Sequence, residues 1–244
     1  MANEYTVNLF IPCCMDLYFP AGVPSVKGLL EKLGDVCYYN SEMTCCGRQF
    51  FYRGDINAAK ELGYRMIRYF DNPYPVVCPS SACIAYIKKH YMSLCEHSSV
   101  HASISHLINN SYELCDYIVN VKGKEKLNNK FPHSVFYFES CAARNLYPSN
   151  SAAQTLLENT EGLTLLTDSD LKICCGGNGG FAMHNAEMTE YALSIIVERV
   201  KKLGAEFITS TDVHCLQYIE AYLQTRSDVK SNVIPISEIL ISNN

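Results

Sequence analysis

The chain has 244 residues, 48% hydrophobic and 18% charged, with a formal net charge of −5 and a pI near 5.8. That is apolar material enough for a sizeable core, and the acidic balance argues against a nucleic-acid partner. Thirteen cysteines are too sparse for a small disulfide scaffold. No stretch approaches the apolar length of a membrane span, and the opening residues lack a signal peptide's basic start. A cytoplasmic protein whose cysteines hold metal is expected.

Residues 5–12 carry bunched apolar side chains and predict a strand buried in a parallel sheet, ending at Cys13. Pro24 and Ser25 open a helix over 24–33, stopped by Gly34. Residues 36–39 form a short strand leading to Cys45-Cys46-Gly47. Asp55 caps a helix reaching Phe70, with Ala59, Leu62, Met66 and Ile67 inward. Residues 75–78 make a third strand, and Cys83 begins the next helix. Apolar spacing predicts a helix over much of 104–121, and 122–132, rich in Lys and Asn, reads as an exposed linker.

The order then restarts. Residues 134–139 form the strand before Cys141, 152–158 a helix, and 163–166 the strand before Cys174-Cys175-Gly176. Ala186–Leu203 is an amphipathic helix ended by Gly204. Residues 207–210 are the strand before Cys215, 233–236 a final strand, and 237–240 a short helix. This alternation predicts an α/β fold of two pseudo-symmetric repeats, 1–121 and 133–244, each a small mainly parallel sheet flanked by helices.

The cysteines repeat with the elements. Cys13, Cys45, Cys46 and Cys83 recur as Cys141, Cys174, Cys175 and Cys215 at offsets of 128, 129, 129 and 132 residues, the signature of an internal duplication. Each follows a strand, and open α/β sheets place ligands at that carboxyl edge. The metal sites are therefore expected near the interface of the halves. To aim two neighbouring sulfurs at one object the chain must turn sharply, which Gly47 and Gly176 allow through positive φ. Zinc usually takes cysteines two to four residues apart, whereas a multi-iron cluster accepts adjacent ones, so iron–sulfur is favoured and zinc is the alternative. Gly176 and Gly177 let backbone N–H groups approach cluster sulfurs.

Cys14 and Cys78 are candidate extra ligands of the first site; Cys37, Cys95 and Cys115 read as packing residues. Arg144, three residues after Cys141, is a cation suited to grip a carboxylate. His184 and His214 are candidate proton acceptors beside the second site.

These residues carry a resemblance. The duplicated Cys…Cys-Cys-Gly…Cys pattern resembles the cysteine-rich CCG-domain family over nearly the full length. Supporting pieces are Ile11-Pro12-Cys13 with Asp16 and Phe19-Pro20, Phe51 and Gly54 after the first turn, Arg144, and the Gly-rich residues 174–181. Within the family the chain is similar to the lactate-utilisation type. The resemblance implies an iron–sulfur electron-transfer subunit, with clusters of the [4Fe–4S] kind, acting with other iron–sulfur and lactate-utilisation subunits to oxidise L-lactate or a related small 2-hydroxy acid to pyruvate. A heterodisulfide-reductase-like redox subunit and a zinc-stabilised scaffold are the alternatives. The heterodisulfide type ends each motif in CysXXCys, where this chain has Ser80 before Cys83 and Asp212 before Cys215. Arg48 stands where the lactate-utilisation type is expected to carry glutamine.

Overall fold

In the computed structural model, which describes residues 5–95, 98–148 and 150–243, the chain builds two four-stranded parallel sheets. Strands β1 (Tyr5–Leu9), β2 (Asp35–Tyr39), β3 (Val76–Cys78) and β4 (Ser111–Glu113) lie in the order β2-β1-β3-β4. Strands β5 (Ser134–Tyr137), β6 (Thr164–Leu166), β7 (Phe207–Thr209) and β8 (Asn232–Val233) repeat it as β6-β5-β7-β8. The central strands are the apolar ones: Val7, Leu9, Val76, Val77, Val135 and Phe136 are buried, as expected when helices cover both faces of a sheet.

Helices of the first half are α1 (Cys13–Tyr18), α2 (Gly22–Lys32), α3 (Arg48–Tyr52), α4 (Ile56–Tyr69), α5 (Ser81–Leu94), α6 (His101–Asn109) and α7 (Leu114–Asp116), the last running into a π-helical turn at Tyr117–Val121. The second half supplies α8 (Cys141–Asn145), α9 (Asn150–Glu158), α10 (Phe181–His184), α11 (Ala186–Leu203), α12 (Val213–Leu223) and α13 (Ile236–Ile241). Asp55 caps α4 as expected, accepting from Ala58 N at 3.1 Å. Among the described residues no helix is long and apolar enough to cross a membrane.

Much of 104–121 is helical as expected, but not in one piece: the first helix stops at Asn109, and Ser111–Glu113 pairs instead with β3. The Glu113 carboxylate then accepts from Cys115 N and Asp116 N and starts a new helix. The first strand ends at Leu9 rather than at residue 12, because Pro12 opens α1. The stretch 122–132 is not simply exposed: Leu127, Asn129 and Phe131 are buried, and Asn129 Nδ2 donates to the Ile239 carbonyl.

The halves exchange cover. The segment after β4, α7 with its π-turn, packs on α9 of the second half. The segment after β8, α13, packs on α2 of the first, where Ile241 reaches Gly28. Likewise α1 packs on α12 and α8 on α5. One continuous core consequently contains Val26 and Leu29 of the first half together with Val135, Ile208 and Ile239 of the second.

Candidate metal centre

Parallel strands end at one edge, and there the eight predicted cysteines collect. Cys13 opens α1 and Cys141 opens α8. Cys83 and Cys215 lie in the first turns of α5 and α12, capped by Ser80 Oγ and the Asp212 carboxylate. The two caps face each other in an antiparallel bridge, with Ser81 N donating to Thr211 O at 2.9 Å. The two cysteine sets therefore flank the pseudo-two-fold axis.

Within each set the sulfurs pair. Cys46 Sγ lies 3.3 Å from Cys83 Sγ, and Cys13 is hydrogen-bonded to Cys45. In the second set Cys175 Sγ lies 2.9 Å from Cys215 Sγ, and Cys141 Sγ 3.4 Å from Cys174 Sγ. Among the described residues no three His, Cys, Asp or Glu side chains converge as a site for one metal ion. The first cysteine of each adjacent pair is the acidic one. Hydrogen bonds from Cys13 and Cys46 pull Cys45 down to about 4, and those from Cys141 and Cys175 pull Cys174 well below the usual thiol range. Backbone N–H groups add to this: Gly47 N donates to Cys45 Sγ at 3.3 Å and Gly176 N to Cys174 Sγ at 3.4 Å.

The glycines are where sequence reading put them. Gly47 and Gly176 have φ of +87° and +76°, the left-handed region that side chains resist. A Cβ on Gly176 would lie 2.8 Å from Thr189 Oγ1, and one on Gly177 would lie 2.5 Å from the Tyr218 ring. Each turn is thus clamped against the protein.

Cys14 and Cys78 are buried beside the first set. Cys14 lines its cavity and Cys78 is hydrogen-bonded to Cys83. Cys95 and Cys115 are buried packing residues, and Cys37 is half-buried. Arg144 does not stand alone: its Nε is 3.4 Å from Glu139 Oε2, and its charge helps pull Cys174 down. His214 sits between the halves. Its Nε2 is hydrogen-bonded to the Gly177 carbonyl and lies 2.8 Å from Gln49 Nε2. Burial pushes its pKa down, and Arg48 adds to the effect. His184 lies farther out, in a cavity of about 840 Å³ that opens on Cys174 and is lined also by Tyr52, Arg53, Phe181 and Tyr191.

Two smaller cavities meet the sets directly. One of about 260 Å³ joins Cys13, Cys45, Cys46 and Cys83 to His214, Gln217 and Tyr218 of the second half. The other, about 50 Å³, joins Cys141, Cys174, Cys175 and Cys215 to Arg48, Tyr52 and Tyr86 of the first. Sequence reasoning gave Arg48 and Gln49 no part in the site. Their cross-half bonds, Arg48 Nη1 to Asn178 Oδ1 at 2.9 Å and Gly179 N to Gln49 Oε1 at 2.6 Å, join residues 130 apart that no local pattern connects.

Two parallel-sheet repeats, each presenting the same four cysteines at its strand edge, define a duplicated cysteine-rich domain. The family model for the cysteine-rich domain CCG matches residues 7–88 and 135–220, and the chain belongs to that family. It is similar to lactate utilization protein A from Geobacillus sp. (strain WCH70), with 29% identity over 97% of this chain and 99% of that protein. It is also similar to lactate utilization protein A 2 from Bacillus cereus (strain Q1), with 27% identity over 96% and 97%. Among solved structures, a glutamate racemase from Bacillus anthracis aligns over 98% of this chain and 80% of its own at 13% identity with a TM-score of 0.35.

Proposed function

We propose that the chain is an iron–sulfur subunit of a cytoplasmic complex that oxidises L-lactate, or a related 2-hydroxy acid, to pyruvate. Cys13, Cys45, Cys46 and Cys83 would hold one [4Fe–4S] cluster in a half spanning 1–121. Cys141, Cys174, Cys175 and Cys215 would hold the other in a half spanning 133–244, across the connection 122–132. The donor set fits such a group: each half brings four sulfurs to one strand edge, with a glycine N–H aimed at one of them. Bound clusters supply one-electron relay at potentials set by charge, hydrogen bonds and exposure. The observation that carries the reading is the same pairing of sulfurs within each half, Cys46 with Cys83 and Cys175 with Cys215; the names of the similar proteins supply the lactate assignment.

Anaerobically purified protein is expected to hold about eight irons, roughly four per cluster, with matching acid-labile sulfide and visible absorbance that bleaches on reduction. Stoichiometric zinc without sulfide would sink the redox reading. In the assembled complex lactate should be oxidised when an artificial electron carrier is supplied oxidised, and a heterodisulfide should not be reduced when the same carrier is supplied reduced.

Arg144 and His214 are assigned to the substrate, Arg144 docking its carboxylate and His214 accepting the hydroxyl proton. A charged hydrogen bond of that kind contributes roughly 1.5–3 kcal/mol. Glu139 already engages the guanidinium, so Arg144→Ala should raise KM for lactate by about ten-fold. Glu139→Gln should lower it. An unchanged KM in an iron-replete Arg144→Ala complex removes Arg144 from the substrate site.

A further inference from the structure

Arg48 is a cation in an unusual place. It begins α3 directly after the first Cys-Cys-Gly turn, yet it lines the cavities of both cysteine sets. Gly47, at φ +87°, turns the chain so that this side chain points across the interface instead of to solvent. Its Nη1 donates to Asn178 Oδ1, in the loop that follows the second Cys-Cys-Gly turn. Among the described residues, its ion-pair partner is not a carboxylate in contact. Asp212 of the second half lines the smaller of those cavities with it. A guanidinium has five N–H donors, and a desolvated charge is costly unless something compensates it. Here Nη1 is engaged by Asn178, and the side chain lines both cavities.

The two cavities meet the two cysteine sets, and a cluster in each would add negative charge around that cation. Four thiolates around an iron–sulfur cluster leave a net negative charge, and reduction adds one more. A cation between two such groups stabilises the reduced form of each. We propose that Arg48 is a counter-cation shared by the two cysteine sets, a positioning residue that raises the reduction potential of both and ties them electrostatically. The proposal rests on the iron–sulfur reading above and adds a single residue of the first half that serves both sites. Arg144 differs: it is held by Glu139 on its own half and lines neither of the two cavities.

The test is a reductive titration of the iron-loaded full chain with dithionite and dye mediators, following each cluster by visible absorbance and electron paramagnetic resonance. In Arg48→Gln the ratio of reduced to oxidised cluster at a fixed ambient potential should fall about ten-fold in both sets, which is 59 mV for a one-electron couple. Glutamine can still hydrogen-bond to Asn178, so the shift reads charge more than contact. Arg48→Lys should recover most of it, and Arg144→Gln should move the second set alone. Full iron content with unmoved potentials, or a shift in one set only, overturns the proposal. Equal losses in the lysine and glutamine variants also overturn it, because Arg48 would then be a packing residue. Absence of iron and sulfide from the unaltered protein overturns this inference together with the function it rests on, and iron analysis before the titration separates the two failures.

Discussion

Cys175→Ser is expected to lose the iron of the second set, about half the total, and leave the first set loaded. Cys175 is buried, and its sulfur meets Cys215 at 2.9 Å while Cys174 lies on its other side. A serine hydroxyl there fits the space but is a poor iron ligand at neutral pH, since the soft thiolate is what such clusters select. Cys46→Ser should give the mirror result in the first set, where Cys46 meets Cys83 at 3.3 Å. Thiolates that converge only in the folded chain link metal binding to stability, so each variant should also unfold earlier than the unaltered protein when loaded. The measurement is iron and sulfide per chain, with the two sets told apart by their potentials. Equal depletion of both sets by either variant would contradict two independent sites.

Lys122→Met is expected to cost about 3–5 kcal/mol of folding stability, the effect of stripping the partner from a buried charge. Asp35 begins β2 with its side chain wholly buried, and Lys122 Nζ reaches its Oδ1 at 2.7 Å, with Tyr117 Oη donating to the same oxygen at 3.3 Å. Removing the ammonium takes away the charged partner of the carboxylate and leaves the Tyr117 phenol on its Oδ1. Asp35→Asn added to Lys122→Met should return a large part of the loss, because the uncompensated charge is then gone. Urea midpoints of the unaltered protein, Lys122→Met, Asp35→Asn and the double variant measure this; a loss below about 1 kcal/mol for Lys122→Met, the scale of an exposed pair, would show that the pair is not buried in solution.

Much of the site was legible because its logic is local and repeated. A strand, then a cysteine, then a helix puts a sulfur at a sheet edge whatever the helix packs on, and the second copy shows which cysteines recur. Gly47 and Gly176 were legible for the same reason, since an adjacent cysteine pair needs a turn that only glycine takes comfortably. The short helices α1, α3, α8 and α10 were not, because four to six residues hold too little periodicity to register. Strand β4 was hidden inside an apolar pattern that suits a helix: Ile104 and Leu107 belong to α6, Leu114 to α7, and β4 lies between them. Arg48 was read for its identity and not its position. Its role depends on Asn178, brought near only by the packing of one half on the other.

The exchange of cover between the halves has a consequence for synthesis. Helix α2 is made long before α13, yet the apolar face it turns toward Ile236, Ile239 and Ile241 is covered only by that later helix. On the ribosome the sheet of the first half is therefore left with one bare flank until α13 has been made. Premature termination between residues 113 and 236 would release a protein carrying that open flank, together with the four thiols of the first set. Such fragments are natural clients for chaperones and proteases, and iron delivered before the chain is finished would meet a half-built cradle.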